Sequence, residues 1–260
     1  MRPILFSLGS YDFFASPVFA GLSAILAAVY ISKQRDPDLM DEKQYWNLML
    51  CLAVGTLGSG LLVYFLFYGG GWERNLAYFF KYRRIKGGAF YGNYWGAIIT
   101  TLLFARAAKV NFRKLADLIA TVAPLSLFLM RWGCLQHGCC FGKATTASWA
   151  IIFTAPRSAL RKSLLGTPLH PSQVYEAFGN LGIFLIVHFF VLKRVRSKKL
   201  PEGYAFLAST GLYAVLRLIL DLWRGSDPGI FTPFGFTTAQ CIALVSLAVA
   251  AGLAVRWKRA

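Results

Sequence analysis

Apolar runs close to the length of a bilayer crossing recur along the whole chain, separated by short charged or glycine-rich breaks. Runs near 12–32, 45–69, 92–108, 115–130, 172–192, 203–223 and 233–256 approach or exceed the roughly 20 residues a helix needs to cross the hydrocarbon core. The expected fold is therefore an all-α polytopic membrane domain over 1–260, with about seven transmembrane helices. A small extramembrane excursion is expected between the fourth and fifth, over 133–170, where SWAIIF alternates enough to form a short strand. The connection 70–91 is glycine-rich and aromatic, which favours an interfacial or re-entrant segment over a free loop.

The net charge of +17 would point to nucleic acid in a soluble chain. Here the Lys and Arg residues fall mostly in the breaks between apolar runs, so topology and lipid headgroups explain them and no nucleic-acid partner is expected. Connections 33–44, 106–114 and 193–200 plus the tail from Arg256 hold about 15 basic residues in about 34, against about 12 in about 80 on the other side. The dense side is expected to be cytoplasmic, with the N-terminus outside and the C-terminus inside. The opening MRPILFSLGS lacks the tripartite layout of a removable signal peptide.

Three polar constellations stand against this apolar background. In HPSQVYEA, residues 170–177, a histidine, a glutamine, a tyrosine and a glutamate occupy the first turns of an apolar run. Polar groups at that depth are costly, so His170, Gln173, Tyr175 and Glu176 read as a site at the membrane boundary, with Pro171 suited to a helix's first turn. An ordinary capped helix start is the plainer alternative. In LRLILDLWRGSD, Arg217, Asp221 and Arg224 are spaced i, i+4 and i+7, which places all three on one helical face. Two arginines and one aspartate leave surplus positive charge, and guanidinium groups bind phosphate bidentately.

The third, MRWGCLQHGCCFG, spans 130–142. Arg131 closes the fourth run, and His137 lies among Cys134, Cys139 and Cys140. A metal bound by Cys134, His137 and Cys139 or Cys140 would crowd its ligands into seven residues without the separated pairs of a structural zinc site, so no metal and no cofactor is expected. A vicinal disulfide or a reactive thiolate remains open, beside plain packing at a glycine-rich bend. Of the other cysteines, Cys51 and Cys241 sit singly in apolar runs as small hydrophobes. A further run, GGAFYGNYWGA, brings Tyr91, Asn93 and Tyr94 to the start of the third span. Its aromatic residues suit an interfacial belt, and Asn93 can hydrogen-bond a lipid headgroup.

The order GGAFYGNYWG, RWGCLQHGCCFG, LHPSQVYEA and LRLILDLWRGSDP resembles that of the bacterial prolipoprotein diacylglyceryl transferase family over nearly the whole chain. The resemblance implies a seven-span bundle in the bacterial inner membrane. It implies transfer of diacylglycerol from phosphatidylglycerol to the cysteine of a lipoprotein precursor, giving a thioether and glycerol phosphate. The partners implied are phosphatidylglycerol, the precursor peptide and membrane lipids. Arg131 matches the arginine of the family's G-R-x-G-N signature. Arg217 precedes its acidic partner, here Asp221 in place of glutamate, and Arg224 with Asp227 matches the following R-x2-D. His170, Gln173, Tyr175 and Glu176 match HPSQLYE.

Other positions depart from the family. Tyr91 stands at the histidine of F-H-G-G-L-x-G. Cys134, His137 and Cys139 replace asparagine, asparagine and glutamate, and Leu61 stands where the second span is expected to carry an arginine. Arg131 and Arg217 are then the expected anion stabilisers, His137 or His170 the expected base in preference to Tyr91, and Asn93, Gln173, Tyr175, Glu176, Asp221 and Arg224 the substrate-binding set. Two alternatives stay open: a phospholipid-binding protein without catalysis, and a related transferase with another acceptor.

Overall fold

A computed structural model describes residues 1–9, 11–67, 72–82, 90–225 and 235–259. The structure is dominated by helices. A short antiparallel hairpin, β1 (Ile4–Leu8) and β2 (Tyr11–Phe14), leads into α1 (Ala15–Gln34). Then follow α2 (Glu42–Phe67), α3 (Trp72–Tyr82), α4 (Phe90–Ala107) and α5 (Phe112–His137). A two-stranded sheet, β3 (Ile151–Ile152) with β4 (Pro168–Leu169), closes the segment before α6 (Ser172–Ile186). A π-helical stretch, Val187–Leu192, carries α6 into α7 (Lys193–Arg196), and α8 (Tyr204–Leu220) and α9 (Thr238–Arg259) complete the described chain.

Five helical segments are long and apolar enough to cross a membrane: Ala15–Gln34, Glu42–Leu66, Phe112–His137, Ser172–Arg196 and Ala239–Lys258. The shorter apolar helix Tyr204–Leu220 adds to them. These helices expose large apolar side chains such as Leu50, Val54, Leu57, Phe189, Phe190 and Val245, as lipid-facing surfaces do. The fold is that of an all-α polytopic membrane protein.

The chain forms two compact units, one of Met1–Lys33 with Asp117–Ala260 and one of Gln34–Ala116. In the smaller unit α2 and α4 pack through small residues. A Cβ on Gly92 would lie 2.6 Å from the Ser59 carbonyl oxygen, and one on Gly96 would collide with the Ser59 side chain. Glycines of the GGAFYGNYWGA run thus serve close helix approach, the usual role of small residues between spanning helices. Within the 70–91 connection, α3 is an 11-residue helix starting WERNLAYFF, amphipathic as an interfacial helix would be.

In the larger unit, α5 runs seven residues past the span end expected at 130. Arg131, Cys134 and His137 lie on its last two turns, and the glycine-rich bend begins only at Gly138 with a positive φ of 78°. Gly133 lies within that helix, and Phe19 of α1 packs where a Cβ on it would be. At the other end of α5, Asp117 accepts hydrogen bonds from the amides of Gly203 (2.7 Å) and Phe206 (2.8 Å), which satisfies the unbonded start of α8. The expected strand in SWAIIF is present as β3, and the hairpin before α1 was not anticipated.

Candidate active site

Glu176 occupies the first full turn of α6 and is 1% exposed. Its Oε1 accepts from Arg131 Nη2 at 2.6 Å and from the Tyr213 hydroxyl at 3.3 Å, while Oε2 accepts from Arg224 Nη1 at 3.3 Å. One buried carboxylate therefore holds two guanidinium groups from different parts of the chain. A charge so deep is tolerated because it is paired and hydrogen-bonded on both oxygens.

Arg224 reaches Glu176 because α8 ends first. The helix stops at Leu220 with Asp221 as its C-cap, and tight i to i+3 bonds turn the chain at Leu222 and Trp223. This corrects the expected helical stripe: Arg217 and Asp221 do pair at i, i+4, with Nη2 to Oδ1 at 3.5 Å, but Arg224 has left the helix. The glycine at 225 lets the chain turn inward: Gly225 N donates to Phe141 O at 3.1 Å, and a Cβ there would lie 2.5 Å from Gly142 O. Asp221 Oδ2 accepts from Thr237 Oγ1 at 2.6 Å. Asp227 lies outside the described residues.

Gly142 joins three segments. Its amide donates to His170 O at 3.0 Å, the Lys143 amide donates to Trp223 O at 2.8 Å, and the His170 amide donates to Lys143 O at 2.9 Å. A Cβ on Gly142 would lie 2.5 Å from both His170 Cβ and His170 O, so only glycine fits this crossing. The three expected constellations, around 131–142, 170–176 and 217–224, are laced together there.

The first turn of α6 also fixes the cysteine turn. Gln173 Nε2 donates to Cys139 O and Ser172 Oγ to Cys140 O, each at 2.7 Å. Arg131 Nη1 in turn points at two sulfurs, 3.7 Å from Cys134 Sγ and 3.5 Å from Cys140 Sγ. Hydrogen bonds from the Cys134 and Cys139 thiols, with the Arg131 and Arg224 charges behind them, hold the Cys140 thiol well below its usual range against the opposing effect of burial. The same sharing pushes the Cys139 thiol up.

His170 is held by Tyr175, whose hydroxyl lies 3.2 Å from Nδ1 and accepts from Trp149 Nε1 at 2.7 Å. His137 stands edge-on to Phe14 at 5.7 Å, and its buried Nδ1 has no hydrogen-bond partner among the described residues. Gln173 Oε1 is likewise buried and unpartnered there.

Asn93 is half-buried on α4, in the smaller unit, and Leu61 lies on α2 of that unit. Tyr91 is part of α4, but its side chain lies outside the described residues. Sequence reasoning missed Tyr213, Ser172, Asn180 and Trp149. Two of these carried a helical signal: Tyr213 is four residues before Arg217, and Asn180, whose Nδ2 donates to Glu176 O at 2.7 Å, is four after Glu176.

A family model described as prolipoprotein diacylglyceryl transferase matches residues 3–256. The chain belongs to the prolipoprotein diacylglyceryl transferase family. Among its relatives, a phosphatidylglycerol–prolipoprotein diacylglyceryl transferase of Rickettsia canadensis is 28% identical, covering 97% of this chain and 95% of the relative. Proteins of the same description from Geobacter sulfurreducens and Caulobacter sp. are 30% and 33% identical, covering 86% and 82% of this chain and 83% and 73% of the relatives. In the present chain three clustered cysteines stand beside Arg131.

Proposed function

We propose that the chain transfers a diacylglyceryl group from phosphatidylglycerol to the cysteine thiol of a lipoprotein precursor. The observation that carries this reading is the gathering of three arginines around two buried carboxylates. Arg131 and Arg224 converge on the two oxygens of Glu176, and Arg217 pairs with Asp221 in the same unit. Guanidinium groups are the side chains best matched to a phosphodiester monoanion.

In the reaction the precursor sulfur bonds to the glycerol carbon, the bond from that carbon to the phosphate oxygen breaks, and the phosphate leaves with its glycerol. Negative charge grows on the departing phosphate. Fixed guanidiniums, held in place by Glu176 and Asp221 before substrate arrives, stabilise that charge without reorganising. The thiol proton goes to a base, for which His170, oriented by Tyr175, and His137, with its open Nδ1, are the proposed groups.

The protein is placed in a bacterial inner membrane as seven spans, with the N-terminus outside and the C-terminus cytoplasmic. Support comes from the basic-residue density and from six apolar helices among the described residues. The test is complementation of cells depleted of their own diacylglyceryl transferase, with mass spectrometry of a lipoprotein precursor. Modified precursor supports the reading. Lipid binding without modified precursor would instead favour a phospholipid-binding protein that has lost catalysis.

A further inference from the structure

The sulfur atoms of Cys134, Cys139 and Cys140 all lie within 4.8 Å of one another. None of the three is in a disulfide. Their spacing in sequence does not announce this, because Cys134 is the helical end of α5 and the other two follow the turn. The turn brings them back. Gly138 and Cys140 both take positive φ, 78° and 59°, and the amides of Gly138 and Cys139 both return to the Cys134 carbonyl, at 2.9 and 3.2 Å. A left-handed conformation is costly for a residue with a Cβ and persists where its surroundings impose it. Here the imposing contacts are the buried side chains of Gln173 and Ser172, which pin the Cys139 and Cys140 carbonyls. The three thiols are therefore held in place by hydrogen bonds around them, and two of them remain partly exposed while Cys134 is buried.

We propose that Cys134, Cys139 and Cys140 form a three-thiolate binding site for a soft monovalent metal ion of the copper(I) class. Three sulfurs about 2.3 Å from one metal ion lie about 4 Å apart in a trigonal plane, so closing the cluster onto an ion takes a contraction of less than about 1 Å. Thiolates select copper(I), zinc and iron–sulfur centres. Zinc in a closed structural site takes four ligands, and among the described residues no fourth His, Cys, Asp or Glu joins the group. A three-coordinate soft cation fits the donors present. Three thiolates around a monovalent ion carry excess negative charge, and the Arg131 guanidinium, already donating to two of the sulfurs, offsets it as hydrogen bonds around metal centres commonly do. Binding displaces the thiol protons to solvent and involves no change of oxidation state.

The test uses the full chain, reduced and purified in detergent, titrated anaerobically with copper(I) against a coloured copper(I) chelator. One equivalent is expected to be retained, and X-ray absorption of the loaded protein should show three sulfurs at about 2.3 Å. Cys139→Ser is expected to weaken retention at least 100-fold, while Cys51→Ser and Cys241→Ser leave it unchanged. Since a serine variant can fail to fold, alkylation of the wild type supplies an independent reading. Copper(I) should protect Cys134, Cys139 and Cys140 but not Cys51. Retention no better than that of the triple serine variant, equal labelling with and without copper(I), or a four-coordinate zinc site filled in preference would each overturn the proposal. All of these readings are independent of lipid transfer.

Discussion

Glu176 binds Arg131 through one carboxylate oxygen and Arg224 through the other, at 2.6 and 3.3 Å. The two arginines approach it from the end of α5 and from the turn beyond α8. Replacing it with glutamine keeps the shape and removes the charge that both guanidiniums share. Breaking a buried pair by removing one partner costs about 3–5 kcal/mol. Glu176→Gln should therefore lower the thermal unfolding temperature in detergent and reduce transfer at least 100-fold, while Glu176→Asp, too short to reach both arginines, should fall between. Wild-type stability and activity in Glu176→Gln would remove this carboxylate from the account.

Arg217 makes a second, separable test of phosphate recognition. Lysine at 217 keeps a charge near Asp221 but loses the planar fork that grips two oxygens, and alanine loses both. Activity is expected to fall in the order wild type, Arg217→Lys, Arg217→Ala, with the KM for phosphatidylglycerol rising in the lysine variant. Because Asp221 is also held by Thr237, the lysine variant should unfold near the wild-type temperature. Equal turnover in all three proteins would show that Arg217 has no role with the lipid.

Gly142 is where the segments carrying the cysteines, His170 and Arg224 meet. An alanine there must displace either His170 or the backbone beside it. Gly142→Ala should therefore cost more in stability than Gly182→Ala on α6, where a Cβ meets open space and helix propensity favours alanine by about 1 kcal/mol. The comparison is read by thermal unfolding of the two variants side by side.

The proposed orientation, which rests on charge density, is tested by reporter fusions. Fusions after Lys199 and after Ala260 should report a cytoplasmic location and one after Ser158 an external one. An external signal at Ala260 would reverse the arrangement.

Much of this was legible in the sequence, for identifiable reasons. Apolar runs located the helices because lipid forces backbone groups to pair within each segment. The charged residues of HPSQVYEA and of the Arg217 segment announced a buried site because their cost in lipid demands partners. The partners themselves were not legible. Periodicity placed Arg224 on the face of Arg217, whereas Asp221 caps the helix and the contacts of Gly142 and Gly225 draw the chain toward Glu176. Likewise, the apolar run ended at Arg131, but α5 continued, because Glu176 satisfies a charge that would otherwise have ended the span. The three cysteines were legible as neighbours in the sequence, but not that their sulfurs meet, because the turn that gathers them is held by Gln173 and Ser172, more than thirty residues further on.

The central claim is that an arginine cluster balanced by Glu176 and Asp221 drives transfer from phosphatidylglycerol. Its most direct test is a reaction of the purified protein with phosphatidylglycerol carrying a labelled headgroup and a synthetic precursor peptide with one cysteine. Mass spectrometry of the peptide and release of labelled glycerol phosphate are read together. The account predicts one diacylglyceryl thioether formed per glycerol phosphate released, with both lost in Arg131→Ala. Binding of the lipid with neither product formed, by a protein shown to be folded, would contradict it.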